Sequence, residues 1–221
     1  HRDLHSFPTR RSSDLVLVIK SGHTEAGSQA AFSHTAAVAA NDTVLSAAID
    51  QAGAIRVGDA AELIARMKGL QMPRVRGNRL AVISRTGGHA VIAADAAVSQ
   101  GFTLPAIPPA FLERVQSVHH SNLIKPRNPL DLGDLFDFNL YAEIMEAAAA
   151  DPEIDAVLFM HEYLADARRH ESRQLIPRAE ELARRYDKPV AVVLFTDGQE
   201  SAYLKKKHDY PFFTSVEAAL M

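Results

Sequence analysis

Ser33-His34-Thr35 places a histidine among small side chains, downstream of Ser21-Gly22-His23-Thr24-Glu25-Ala26-Gly27 and ahead of Ala36-Ala37-Val38-Ala39. A neutral imidazole is nucleophilic near pH 7, so His34 can accept a phosphoryl group, and its small neighbours let a phosphate and a second domain approach. The same histidine also fits a plainer role as a hydrogen-bonded surface or hinge residue. A second constellation is Ser84-Arg85-Thr86-Gly87-Gly88. A glycine turn between a buried strand and a helix leaves backbone N–H groups unpaired at the positive end of the helix dipole, which makes Thr86, Gly87 and Gly88 an anion cradle. The competing reading is an ordinary turn that uses glycine for positive φ and binds nothing. His89 either meets the phosphate or only starts the helix.

Other polar clusters point away from chemistry. His161-Glu162 and His170-Glu171 lack the His-Glu-x-x-His spacing and a third ligand, so they read as a solvated helix face and not as a metal site. Lys205-Lys206-Lys207 reads as an exposed helix end, His119-His120 and Arg168-Arg169 likewise, and Asp197-Gly198 marks a turn. The chain has no cysteine, which excludes disulfides, thiolate nucleophiles and Cys-ligated metals and suits a reducing cytoplasm.

Stepwise alternation of strands and helices must position these groups. Leu15-Val16-Leu17-Val18-Ile19 is the uniformly apolar run of a strand buried on both faces of a parallel sheet. Residues 28–40 predict a short helix broken at Ser33-His34-Thr35 and leading into a tight loop. A second helix starts at the N-cap residues Asn41-Asp42, Ala54–Val57 forms a strand, and Asp59 caps a helix with Leu63, Ile64, Met67 and Leu70 as its apolar face. Gln71 to Asn78 has no apolar period and is the expected domain boundary. Beyond it, Arg79–Ser84 is a strand, His89–Ser99 a helix with Val91, Ile92 and Ala96 on one side, and residues 110–118 look helical. Asn128–Gly133 is a loop, Tyr141–Ala150 a helix, Ala156–Phe159 a strand, Leu175–Arg185 a helix and Pro189–Leu194 a buried strand. The expected fold is α/β: two flavodoxin-like, doubly wound parallel-sheet domains, the first truncated at its N-terminus.

The 221 residues are 47% apolar, enough for more than one core, and 24 Lys and Arg against 27 Asp and Glu leave a net charge of −3. Without a basic surplus, nucleic acid is an unfavoured partner. No apolar run approaches the ~20 residues that span a bilayer. With no tryptophan to stack on a flavin and no acidic cluster after the first strand, an electron carrier or response regulator is not supported. Residues 1–15 resemble a translated sequencing adapter, with a disordered or targeting tail as the alternative, and are set aside. On that reading the chain is a fragment, with residues 16–72 and 77–221 as its two domains.

Lys20-Ser21-Gly22, Thr24-Glu25-Ala26-Gly27, Ser33-His34-Thr35 and Gln51-Ala52-Gly53-Ala54-Ile55-Arg56-Val57 resemble the ligase domain of the nucleoside-diphosphate-forming (ADP-forming) acyl-CoA synthetases, of the succinyl-CoA synthetase superfamily. Ser84-Arg85-Thr86-Gly87-Gly88, Ala93-Ala94-Asp95, Asn128-Pro129-Leu130-Asp131-Leu132 and Thr214-Ser215-Val216-Glu217-Ala218-Ala219 resemble that family's succinyl-CoA-synthetase-like flavodoxin domain. The resemblance implies that His34 is phosphorylated in turnover, that Ser33 and Thr35 support its loop, and that Thr86, Gly87, Gly88, Asn128 and Gly133 line the phosphate cleft. It further implies that the two halves face each other. CoA and ATP or ADP with Mg²⁺ would be substrates of the whole enzyme, held mainly by a CoA-binding domain and an ATP-grasp domain or subunit outside residues 16–221, so the piece alone is not expected to turn over. The family usually has Gly where Ala36 stands. The alternative is a non-catalytic CoA- or anion-binding regulatory module fused to another activity such as an acetyltransferase.

Overall fold

A computed structural model describes residues 15–35, 41–107, 127–133, 136–163 and 168–221, with the single positions 109, 111 and 113. Residues 1–14, 36–40 and most of 110–118 lie outside the described residues. The chain divides into two compact units, residues 1–64 and 65–221. The division falls inside a helix, ahead of the Gln71–Asn78 stretch.

The first unit contains β1 (Leu17–Ile19), α1 (Glu25–Thr35), α2 (Asp42–Gln51), β2 (Ile55–Val57) and the start of α3 (Ala60–Gly69). β1 and β2 pair in parallel, Leu17 beside Ile55 and Ile19 beside Val57. Asn41 caps α2 as its type predicts, its side-chain oxygen accepting from the N–H groups of Thr43 and Val44. Arg56 ties β2 back to α2 through both carboxylate oxygens of Asp42, at 2.6 and 3.0 Å. Two expectations change here. α1 runs unbroken from Glu25 through His34 rather than ending before it, because the alanines that blur the apolar period are also the best helix formers. The apolar face read onto α3 is not covered: Ile64, Met67 and Leu70 are exposed, and the buried residue of that helix is Ala65.

The second unit continues with β3 (Leu80–Ser84), α4 (Gly87–Ser99), β4 (Leu130–Asp131), α5 (Phe138–Ala150), β5 (Ala156–Glu162), α6 (Arg169–Arg173), α7 (Leu175–Tyr186), β6 (Val190–Phe195), α8 (Gly198–Lys207) and α9 (Val216–Leu220). Its four strands lie in the order β4-β3-β5-β6, all parallel. The strand period of two sorts the core. Ala81, Ile83, Val157 and Phe159 face α5 and α7 with Tyr141, Ile144 and Leu182, while Leu80, Val82, Leu158 and Met160 face α4 and α9 with Ala93, Ala97 and Val216. Each Val, Leu, Ile, Phe or Met among them taken fully out of water contributes about 1.5–3 kcal/mol.

Here too the structure corrects the sequence reading. α4 buries Ala90, Ala93 and Ala97, whereas Val91 and Ile92 are exposed, since the small face lets the helix lie close on the sheet. Leu130–Asp131 is a short strand beside Ile83–Ser84, not part of a loop. His161 lies in β5 and is buried at 2% exposure, so it is not on a solvated helix face. Asp197 is the N-cap of α8, its carboxylate accepting from the Glu200 N–H at 2.8 Å.

Candidate functional site

In a parallel sheet the connections leave a crevice at the carboxyl ends of the strands where the strand order reverses. For the order β4-β3-β5-β6 that point lies between β3 and β5. Ser84, fully buried at the end of β3, shapes the turn: its hydroxyl donates to the Thr86 carbonyl at 2.7 Å and accepts from the Thr86 N–H at 3.1 Å. The Arg85 N–H donates to the Met160 carbonyl at 3.2 Å, and the Leu132 N–H to the Ser84 carbonyl at 2.8 Å, so β3, β4 and β5 all meet beside this turn.

α4 begins at Gly87, with Thr86 as its N-cap in extended conformation. The Thr86 side chain does not cap the helix. Its hydroxyl pairs instead with His89 Nδ1 at 2.7 Å, and the His89 ring stacks on Phe195 at 4.0 Å. His89 therefore both lies in the first turn and orients Thr86. Neither Gly87 nor Gly88 has positive φ. Gly87 is needed for close approach: a Cβ there would lie 2.8 Å from Asp131 Oδ2, whereas one on Gly88 would meet nothing within 4 Å. The other oxygen of Asp131 accepts from the Gly133 N–H at 2.9 Å, and Gly133 takes the left-handed φ of 55° that closes this second loop.

Asn128 lies one layer below. Its Oδ1 accepts from the Val82 N–H at 3.0 Å, and both amide hydrogens are used, on the carbonyls of Leu80 (2.7 Å) and Pro105 (3.1 Å). The amide thus braces β3 with two main-chain bonds and ties it to Pro105 with a third, and its donors face protein backbone. Ser33 Oγ donates to the Gln29 carbonyl of its own helix at 3.0 Å. His34 and Thr35 occupy the last turn of α1.

The sequence reading passed over Arg85. Its guanidinium lies 4.7 Å from the centre of the Phe136 ring, with Arg168 facing the same ring at 5.0 Å. Arg85 Nε is buried and has no hydrogen-bond partner among the described residues. An arginine directly after the apolar run Leu80–Ile83 and its closing Ser84 was the available signal. Glu200, at 2% exposure, was equally silent in sequence: it accepts from Tyr163 Oη at 3.0 Å and takes both forks of Arg173 at 2.7 Å. The Arg173 bonds hold its carboxyl below the usual range against the opposing effect of burial. Burial pushes the Tyr141 hydroxyl up to about 12, with Arg85 opposing. No group of three or more His, Asp or Glu among the described residues is placed to hold a metal, and none of their helices is long and apolar enough to cross a membrane.

Residues 8–70 match the family described as succinyl-CoA ligase like flavodoxin domain. The match falls on the half read above as the ligase domain, and it starts within the stretch set aside as adapter. Along 93% of its length the chain is 29% identical to the alpha subunit of acetate–CoA ligase [ADP-forming] I of Pyrococcus furiosus, covering 44% of that protein. Along 96% it is 26% identical to 4-hydroxybutyrate–CoA ligase [ADP-forming] of Nitrosopumilus maritimus, covering 30%. The chain is thus similar in sequence to ADP-forming acyl-CoA ligases along nearly its whole length. A synthetase of this kind also shares its fold: the dinucleotide forming acetyl-coenzyme A synthetase 1 of Ca. Korarchaeum cryptofilum, solved with phosphate and ADP, superposes with a TM-score of 0.77 at 22% identity over 94% of this chain and 45% of that one. The chain thus spans less than half the length of these synthetases.

Proposed function

We propose that this chain is the phosphoryl-carrying part of an NDP-forming acyl-CoA synthetase, with His34 as the carrier. The reading rests on the similarity to ADP-forming ligases along nearly the whole chain. In the proposed cycle a phosphate oxygen attacks the thioester carbon of acyl-CoA, and the C–S bond breaks to release CoA as thiolate. An imidazole nitrogen of His34 then takes the phosphoryl group from the acyl phosphate, and the carboxylate leaves. Finally the terminal oxygen of ADP or GDP attacks the same phosphorus, breaking the P–N bond and regenerating the histidine. Mg²⁺ travels with the nucleotide, on an ATP-grasp domain or subunit, and CoA on a CoA-binding domain.

Thr86, Gly87 and Gly88 would hold the phosphate at the amino end of α4, with Gly133 on the opposing loop and Arg85 as a nearby cation. Asn128 would act by bracing β3. Ser33 and Thr35 would support the His34 turn. The test supplies the protein with its ATP-grasp partner, Mg²⁺ and γ-labelled ATP. Acid-labile, base-stable label that vanishes in His34→Asn is expected. Absence of label in the wild type, or full label in His34→Asn, would overturn the carrier role and favour a regulatory binding module.

A further inference from the structure

A second concave surface lies at the other end of the same sheet. Tyr210 donates its hydroxyl to the carbonyl of Val190, the first residue of β6, at 2.9 Å. The loop after α8 is thereby pinned against the amino end of that strand, away from the carboxyl-end turn at Thr86–Gly88. A pocket of about 330 Å³ opens there, walled by Lys68, Gln71, Lys205, His208, Tyr210 and Phe212 among others. It adjoins a pocket of about 420 Å³ that shares Gln71 and Tyr210 and adds Met72 and Pro73.

The charges in the first pocket are unbalanced. Asp209 is the one acid among the described residues that line it. Lys68 is held in place: its ammonium donates to the Phe212 carbonyl at 2.7 Å and lies 5.5 and 5.3 Å from the centres of the Phe212 and Phe213 rings. An ammonium has three N–H donors, so two remain to point elsewhere. Burial, and then the charge of Lys205, lowers the Lys68 pKa. Burial and the charge of Lys207 lower that of His208, with Glu180 opposing. Like charges gathered in a concavity repel one another, and an oxyanion bound among them converts that repulsion into attraction. The neutral amide of Gln71 adds a further donor.

We infer that this pocket is a phosphate-type dianion site, with Lys68 as its fixed donor, Lys205 as a surrounding charge and the His208 ring beside them. Its source is either free phosphate or a phosphate ester whose organic body lies along Met72 and Pro73. The site involves neither His34 nor α4, so it stands or falls apart from the phosphoryl-carrier reading.

The ring of His208 reports occupancy. NMR titration of the whole 221-residue chain with inorganic phosphate, with AMP, or with chloride at matched ionic strength is the test. Phosphate or AMP is expected to shift the His208 titration upward by about half a unit or more relative to chloride. Tighter binding of AMP identifies an ester, and equal binding free phosphate. Lys68→Gln is expected to weaken binding about tenfold. Should that variant fail to fold, Lys205→Gln, on the exposed end of α8, carries the test with an expected loss of about threefold. A His208 response no larger than that to chloride, or unchanged affinity in the folded variant, overturns the proposal.

Discussion

The two units repeat the same strand–helix alternation around very different cores. In the second, Ile83, Leu158, Phe159, Val192 and Val193 are wholly buried between helices on both faces of the sheet. In the first, Ile49 and Val57 are the buried apolar side chains among the described residues, while Phe32, Val44 and Ile64 are more than half exposed. A two-stranded sheet of this kind is marginal by itself. The candidate carrier histidine therefore belongs to the unit with little core of its own, and the candidate phosphate cradle to the well-packed one. The candidate cradle is the first turn of α4, where unpaired N–H groups make the local field positive.

Breaking the carrier itself has the largest expected effect: His34→Asn removes all label from γ-labelled ATP and leaves thermal unfolding of the second unit unchanged. Next, Glu200→Ala strips a buried carboxylate from Arg173 and Tyr163 and is expected to cost about 3–5 kcal/mol in denaturant unfolding. The pH dependence has a definite sign. Because the folded-state pKa of Glu200 is lowered, its contribution is present above the unfolded value of about 4.3 and is lost as pH falls through the lower folded value. Glu200→Gln should flatten that acid limb.

Asn128→Ala, which removes two main-chain bonds to β3 and one to Pro105, is expected to cost about 3 kcal/mol; an unaltered unfolding midpoint would mean the brace is dispensable. The smallest effects separate the two glycines of the cradle. Gly87→Ala should destabilise by about 1–2 kcal/mol through its contact with Asp131, and Asp131→Ala in the same chain should restore stability. Gly88→Ala, with open space around it, should stabilise by about 0.5–1 kcal/mol through helix propensity. Equal behaviour of the two variants would remove the case for close approach at Gly87.

Much of this was legible in sequence where one force acts alone. β3, β5 and β6 announce themselves through the apolar runs Leu80–Ile83, Ala156–Met160 and Val190–Phe195, because both faces of the sheet are covered. The Asn41 cap is local chemistry and was equally readable. Legibility failed where packing chose against hydrophobic rank, as when α4 turned Ala93 and Ala97 inward and Val91 and Ile92 outward. It failed again where a partner is distant in sequence. Arg173 and Glu200 are 27 positions apart, and Asn128 is 46 from Val82, with no pattern in between to pair them. The Thr86–Gly88 turn was visible as a motif, yet the reason for Gly87 lies in Asp131, on another strand.

All the described strand pairings are parallel, and that has a consequence for how the chain acquires its shape. No hairpin is available among the described residues to nucleate the second unit. β3 pairs with β4 and β5, both far along the chain, and the Arg79–Asp155 clasp at the foot of β3 and β5 closes a separation of 76 residues. Loops of that length must close before any ladder bond rewards them, so folding should be slow for a domain of this size. During synthesis β3 would wait, apolar on both faces and with the edge that β5 takes still open, until β5 follows it from the ribosome, and that interval is when the chain is most exposed to aggregation.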